Sequence, residues 1–545
     1  MAELGETFDF VIVGAGSAGC VLANRLSEDP GVQVALVEAG GSDASWQIRM
    51  PAALAYPLAG NRFLNRYETE AEPGLGGRRV THPRGRTLGG TSSINGMMFV
   101  RGHPRDFDRW QAEGCVGWSW AEVLPYFRRM EAAAHGDPVY RGRQGPLGIR
   151  LGRLDGSALN PAFLAAAAEA GHPATADING ADQEGAGLME QTIRDGVRES
   201  TSRAYLRPTT DRPNLTVITG ARVDRVAITE GRATALHVST LAGSRQITVR
   251  REVILSAGAF ASPQILMLSG IGPGAALQAL GIEVVADRPG VGQNLQDHPD
   301  IILRHRCPLP VSLHYWTTPF GRIRAGLQWF ALHRGPAATN QFEVGAFLQS
   351  TPAAGHPDLQ LSFLPLALAP GSVQSDQSIG SDGFQIHIDL LRPEARGELW
   401  LASPDPADLP RMRFNYLTAP ADRQRLAHGL ALSRAIIGAA AMTPYRGDEL
   451  LPGPEVASDA AIDAWLTEAA DTAYHPVGTC RMGARSDPLA VTDPAGRVIG
   501  VDGLRVVDAS LMPSLVSGNT NAATIMIAEK LADVIRGHSP APALS

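Results

Sequence analysis

Lysine is almost absent from this sequence. Lys530 is the only one in 545 residues, and the other 47 of the 48 basic residues are arginine. That bias reads as the codon usage of a GC-rich bacterial genome, not as an arginine-dependent chemistry. Cysteine is scarce as well: Cys20, Cys115, Cys307 and Cys480 are scattered, and no two form a Cys-x-x-Cys pair. This argues against a disulfide framework and a zinc site, and it favours a reducing compartment. An excess of positive charge is missing too. Forty-eight basic against 55 acidic residues give a net charge of −7, so nothing steers the chain to nucleic acid. Finally, no apolar run reaches the roughly 18 residues that a membrane span requires. The stretch from Phe8 to Ala23 comes nearest to a signal-peptide core, but three glycines cut it. Glu3, Glu6 and Asp9 also stand where Lys or Arg would be needed. A cytoplasmic protein is expected, with peripheral contact at the inner membrane left open.

What is present is globular. The chain is 44% hydrophobic and 19% charged, with 59 Gly and 39 Pro, which excludes a disordered chain, a coiled coil and a collagen-like fibre. Its length calls for about three or four units, or for two large interleaved ones.

The first forty residues read as strand, turn, helix and strand. Phe8–Val13 is an apolar, β-branched run, Cys20–Leu26 has helical spacing, and Val32–Val37 is a second strand ending at Glu38. Near-continuous apolar strands around a helix suit a parallel sheet covered on both faces. Pro51–Gly90, rich in Pro, Gly and Arg, reads as extended loop. Helical spacing returns in Arg109–Ala134 and Pro161–Ala170. Strands are expected at Leu215–Ile218, Arg222–Ile228, Ala235–Thr240, Gln246–Val249 and Val253–Ser256. From Asp300 to Tyr474 strand and helix signals mix, Leu504–Val507 and Thr524–Arg536 read as a last strand and helix, and the tail Ser539–Ser545 reads as disordered.

Gly14-x-Gly16-x-x-Gly19 fills the first strand-to-helix turn, with Ser17 and Ala18 between its glycines. Such glycines allow a tight turn and close backbone approach to a pyrophosphate, which the N–H groups and dipole of the helix N-terminus favour. Glu38 follows 19 residues after Gly19, where an acid can hold a ribose hydroxyl. The motif predicts a dinucleotide without saying whether it is NAD or FAD.

A second glycine-rich run, Pro83-Arg84-Gly85-Arg86-Thr87-Leu88-Gly89-Gly90-Thr91-Ser92-Ser93-Ile94-Asn95-Gly96, continues as Met97-Met98-Phe99-Val100-Arg101-Gly102. Further on stand Gly258–Pro263 through Ser269–Gly272, then Val291–His298. His475-Pro476-Val477-Gly478-Thr479-Cys480-Arg481-Met482-Gly483 comes next, followed by Val507–Ser510 and Gly518–Asn521. In this order, from about Phe8 to Arg536, the chain strongly resembles the glucose–methanol–choline (GMC) oxidoreductases, a family of flavoenzymes. Within it the chain looks most like bacterial choline dehydrogenases and alkanol dehydrogenases.

The resemblance implies an α/β fold: a doubly wound, Rossmann-type FAD-binding domain of discontinuous segments (1–155, 210–300 and 485–545) with an inserted α+β substrate-binding domain (156–209 and 301–484). It implies FAD, with the ADP half on Gly14, Gly16, Gly19 and Glu38. Thr87, Gly90, Asn95, Gly96, Met97 and Met98 would line flavin and pyrophosphate, and Val223 would meet the adenine through its backbone. Asp508, Ala509, Thr520 and Asn521 would close the site from the C-terminal side. Relatives that bind their flavin through histidine carry it before the asparagine, where this chain has Ile94, so the FAD is expected to be non-covalent.

Oxidising an alcohol requires a base for the hydroxyl proton while hydride leaves the carbon, and imidazole suits that near neutral pH. His475 is the candidate. Asn519 offers an amide that can orient the substrate oxygen, and in the family these two motif positions form the catalytic pair, with hydride passing to flavin N5. The adjacent Asp297 and His298 could suggest a metal, but no further ligand stands at suitable spacing. No metal is expected, and His298 reads as structural. In choline-oxidising relatives a Glu at the position of Glu343 faces the substrate cation, and Tyr315, Trp316 and Tyr474 could add aromatic faces. A buried, hydrogen-bonded Glu343 without substrate contact fits the sequence equally well. The expected reaction is oxidation of a primary alcohol to an aldehyde, with electrons leaving to a quinone or another acceptor. An oxidase that forms hydrogen peroxide from O2 is the nearest alternative, and a hydroxynitrile lyase on the same fold is a more distant one.

Overall fold

A computed structural model describes residues 7–369, 378–539 and 541. Glu3, Glu6 and almost all of the tail expected to be disordered lie outside the described residues.

The opening strand, Thr7–Val13, is buried from its second residue on, as is all of Val34–Glu38. Between them lies α1 (Ser17–Leu26), three residues longer at its start than the spacing predicts, because the glycine turn closes directly into the helix. Leu215–Thr219, Val34–Glu38, Thr7–Val13, the end of Gly243–Leu255 and Leu504–Val506 lie side by side and parallel. The apolar runs are continuous because helices and loops bury both faces of this sheet.

One strand departs from expectation. Gln246–Val249 and Val253–Ser256 are a single 13-residue strand, Gly243–Leu255. Its first half pairs antiparallel with Arg232–Thr240, which pairs in turn with Ala221–Thr229. Its second half joins the parallel sheet. The polar stretch Arg250-Arg251-Glu252 that reads as a break is where the strand crosses from the meander into the covered sheet.

The second large sheet is antiparallel, in the order Glu449–Leu451, Pro299–Arg306, Gly383–Leu390, Leu359–Leu364, Val344–Leu348 and Gly185–Leu188. Outside it runs α2 (Pro319–Leu332). The C-terminal helix α3 (Thr520–Arg536), four residues longer than expected, returns to the first sheet and packs on α1, where Glu529 pairs with Arg25 at 2.8 Å. Pro51–Gly90 is not plain loop. It holds short helical turns and a hairpin pairing Leu64–Glu68 with Thr81–Gly85, hidden in the sequence because Pro83 and Gly85 sit inside the strand.

Candidate functional site

The glycine turn is shaped by close approach. A Cβ on Gly19 would stand 1.9 Å from the Gly14 carbonyl oxygen, and Gly14 itself has φ +96°. Above Gly16, by contrast, a Cβ would meet nothing nearer than the Ser256 oxygen at 3.8 Å, and no side chain caps the start of α1. The first-turn N–H groups of Ser17, Ala18 and Gly19 therefore lack the intrahelical partners that later turns have. Glu38 is buried at the strand end, its two oxygens accepting the N–H groups of Ala15 (2.9 Å) and Gly40 (2.7 Å).

The second glycine run docks on the first. The Gly89 N–H donates to the Ala15 oxygen at 2.7 Å, Gly90 lies so close to Gly16 that a Cβ would stand 2.6 Å from its Cα, and Thr87 donates to the Gly41 oxygen at 3.0 Å. The C-terminal motif reaches the same place, for the Ser17 hydroxyl donates to Asn521 Oδ1 at 2.7 Å across 504 residues of chain. Thr520 opens α3 beside it. Asp508 takes up the N–H groups of Gly258 and Ser510 and the hydroxyls of Ser262 and Ser510, so its carboxylate ties two segments together, and Ala509 follows it in a short helical turn. Val223 lies next to a bulge in the meander, where the ladder slips between Val223 and Arg225.

Asn95, Gly96, Met97 and Met98 form a tight turn with Met97 in the left-handed region (φ +60°) and its N–H on Asn95 Oδ1. Beneath it lies a residue that the motifs do not announce. The Arg198 guanidinium is buried without any carboxylate partner, and burial lowers it to about 9. It donates to Asn95 Oδ1 (2.9 Å) and to the backbone oxygens of Asn95 and Ile48. Its Nη2 has no partner among the described residues. An uncapped helix start, an open glycine turn and a buried, partly unsatisfied cation are what a bound dinucleotide such as FAD can satisfy; the residues present fit it.

His475 is placed by strand pairing. Pro299 and Asp300 pair with Thr472 and Asp471, and Gln296 bridges Val477, so His298 and His475 face each other across a narrow antiparallel ribbon. Asp297 anchors the turn. Its Oδ1 accepts the His475 backbone N–H at 2.6 Å, and its Oδ2 accepts the hydroxyls of Tyr416 and Thr472. Tyr474 sits in the left-handed region at φ +65°, its carbonyl accepting from Arg84 at 3.0 Å. Asn519 is held from the other side as the residue before α3. It follows Gly518 at φ +146°, where a Cβ would strike the Val100 side chain at 2.3 Å.

These contacts assign protons. His298 Nε2 lies 3.1 Å from both the Leu391 and the Val516 carbonyl oxygens, which only accept, so it carries a hydrogen. Burial lowers His298 to about 3, leaving its Nδ1 bare. That bare nitrogen lies 3.0 Å from His475 Nδ1, which must therefore donate. Burial, together with His298 and Arg84, holds His475 well below the ordinary imidazole range, so it is neutral and its Nε2 is bare. The Asn519 amide N–H donates to this Nε2 at 3.0 Å, and Asn519 Oδ1 accepts from Gln360 at 3.3 Å. His298, Asp297 and Gln360 thus contact the His475–Asn519 pair directly, which motif spacing alone does not reveal.

Glu343 is not gathered into this cluster. Its carboxylate accepts the Arg153 N–H at 2.7 Å and Gln191 at 3.2 Å, takes the Thr339 hydroxyl, and pairs with Arg150 at 3.4 Å. All of its polar capacity goes to the protein frame. Tyr474 borders the cluster through the backbone contacts described above, and Tyr315 and Trp316 lie in a short helical turn before α2.

Comparison with known proteins fits this geometry. Residues 8–300 and 393–528 match the N- and C-terminal models of the GMC oxidoreductases. The oxygen-dependent choline dehydrogenases of Sinorhizobium medicae (strain WSM419) and Rhizobium etli (strain CIAT 652) are each 48% identical over 532 residues, covering 98% of this chain and 96% of theirs. Among solved structures, pyridoxine 4-oxidase from Mesorbium loti superposes with a TM-score of 0.87 at 34% identity, covering 98% of this chain and all of that one. A variant of Aspergillus oryzae RIB40 formate oxidase studied for FAD modification gives 0.92 at 28% identity, with 98% and 99% covered. The chain belongs to the GMC oxidoreductase family, as an FAD-dependent enzyme of the alcohol dehydrogenase type.

Proposed function

We propose that the protein oxidises a primary alcohol to an aldehyde, with His475 as the base and Asn519 orienting the substrate oxygen. The observation that carries this reading is the pairing of a bare imidazole Nε2 with an amide N–H 3.0 Å away. One wants a donor and the other an acceptor, and a hydroxyl is the small group that is both. An alcohol oxygen held by the Asn519 N–H can give its proton to His475 Nε2, and the negative charge that gathers on that oxygen is met by the same amide. Because His475 is neutral, it can accept the proton without first losing one. His298, through Nδ1, holds His475 in the tautomer that keeps Nε2 free, and Asp297 fixes its backbone. When bound, FAD supplies the hydride acceptor, flavin N5, and Gly14 to Gly19, Glu38, Thr87, Gly90 and Asn95 to Met98 would hold it with Val223, Asp508, Ala509, Thr520 and Asn521.

The FAD is held without a covalent bond in this reading. Ile94 occupies the position next to Asn95 and packs against Ile48, Phe63 and Leu64, offering no nucleophile. Glu343 serves the frame around Arg150 and Arg153, so a cationic substrate such as choline would have to be recognised by other groups. Electrons then pass to a quinone or another acceptor. The names of the similar choline dehydrogenases and of pyridoxine 4-oxidase favour a second reading, in which O2 takes the electrons. Anaerobic bleaching of the flavin by an alcohol tests the oxidation. Peroxide yield on admitting air, set against the rate of quinone reduction, separates the two acceptors.

A further inference from the structure

The face carrying α2 is unlike the rest of the molecule. On one side of the helix Gly321, Ala325 and Trp329 are buried, with the Trp329 indole donating to the Gly196 carbonyl at 2.7 Å. The opposite side is also apolar. Phe320, Ile323, Leu327 and Phe330, at steps of three, four and three residues, are 72%, 62%, 66% and 59% exposed. At 1.5 Å per residue that stripe is roughly 15 Å long. It does not stop at the helix. Phe330 meets Trp46 with ring centroids 6.1 Å apart, and Trp46 meets Tyr56 at 5.2 Å, both rings about two-fifths exposed. A helix apolar on both faces is ordinarily covered by something, and a contiguous exposed apolar patch marks an interaction surface.

Charge identifies the occupant. The protein carries a net −7, yet no Asp or Glu occurs from residue 44 to 67 or from 301 to 342, the two stretches that supply this face. Arginine does occur there: Arg49, Arg62, Arg324 and Arg334 are exposed within these two stretches. One acid comes near: Asp195, exposed at the tip of the adjoining hairpin, precedes Gly196, whose carbonyl accepts the Trp329 indole. Aromatic rings with a polar edge beside a stripe of bulky apolar side chains, in two stretches that carry arginine and no acid, match the boundary between lipid headgroups and acyl chains. A second copy of this acidic chain would find no charge complement in the same patch.

We infer that this face, centred on α2, docks the protein in the plane of an anionic lipid bilayer. No helix among the described residues is long and apolar enough to cross a membrane, so contact is peripheral. Two signals act together, insertion of the apolar stripe and attraction of the arginines to anionic headgroups. If electrons go to a quinone, a point that rests on the function proposed above, docking places the enzyme beside an acceptor dissolved in the bilayer.

Flotation of the FAD-loaded, full-length protein with vesicles of phosphatidylcholine, with or without phosphatidylglycerol, tests this. The protein is expected to float with phosphatidylglycerol vesicles, far less with phosphatidylcholine alone, and less as salt rises. The triple variant Ile323→Gln, Leu327→Gln, Phe330→Gln is expected to lose about tenfold or more of that binding, and Arg324→Gln with Arg334→Gln to lose the preference for anionic lipid. Both variants should keep their flavin and its anaerobic reduction by alcohol, since none of these residues touches the His475 cluster. Wild-type protein that does not float, or a triple variant that floats equally well, would overturn the proposal. So would a dimer that the triple variant dissociates in the absence of lipid binding. Flavin reduction in the same preparations without vesicles reports on the oxidation separately, so failure of one reading is not mistaken for failure of the other.

Discussion

The Nδ1 atoms of His298 and His475 lie 3.0 Å apart, and only one of them carries a proton. Two carbonyls fix it on His475 by holding the hydrogen of His298 on the far side of its ring. In the proposed reaction His298 acts as a positioning residue. His298→Ala is expected to slow flavin reduction about a hundredfold, because His475 can then turn or change tautomer. In His298→Asn the Asn carbonyl oxygen can replace Nδ1 as acceptor, and most of the rate should return. Stopped-flow reduction of both variants measures this. Equal loss in both would show that His298 only fills space.

Asp297 links the site to pH. Burial raises it from 3.8 to about 6 despite its hydrogen bonds. Between those values the folded protein binds more protons than the unfolded chain, so unfolding free energy falls as pH rises through this window. By neutral pH the buried carboxylate costs about 3 kcal/mol. Asp297→Asn removes the charge, and its stability relative to wild type is expected to improve by that order between about pH 4 and 7. Activity should nevertheless fall, since one amide oxygen cannot serve His475, Thr472 and Tyr416 together. Thermal unfolding against pH for both proteins gives the difference curve, and parallel curves would contradict the assignment.

The glycine contacts make a graded series. Gly19→Ala and Gly90→Ala each force a Cβ into backbone, 1.9 Å from the Gly14 oxygen and 2.6 Å from the Gly16 Cα. Loss of bound flavin and about 2 kcal/mol or more of stability are expected. A Cβ on Gly41 meets nothing within 4 Å, so Gly41→Ala should stay within about 0.5 kcal/mol of wild type and keep its flavin. Flavin-to-protein absorbance ratios and melting curves check the series.

Ile94 gives a chemical test. With an aliphatic side chain packed in that position, acid precipitation should leave the yellow flavin in the supernatant. Flavin carried down with the denatured protein would show a covalent bond elsewhere.

Much of this site was legible because the motifs place chemistry at chain points that the fold must unite. The glycine turn, Glu38, His475 and Asn519 all stand out by residue type in context. His298 did not, since a single histidine beside an aspartate says nothing of a ribbon that sets it against another imidazole 177 residues later. Arg198 and Gln360 were hidden for the same reason: their roles come from what tertiary packing buries beside them. Glu343 is the reverse case, a charged residue for which the sequence leaves two readings open, because its partners Arg150 and Arg153 lie nearly 200 residues upstream. In the fold, the strand through Arg250–Glu252 and the hairpin through Pro83 and Gly85 read as breaks because tertiary pairing overrode local propensity.

The most direct measurement is anaerobic reduction of the bound flavin by a panel of alcohols, comparing wild type with His475→Ala. At least one primary alcohol is expected to bleach the wild-type flavin, with the variant slower by about a hundredfold or more at equal flavin content. A fully loaded wild-type flavin that no alcohol bleaches, or a variant that bleaches as fast as wild type, would contradict it.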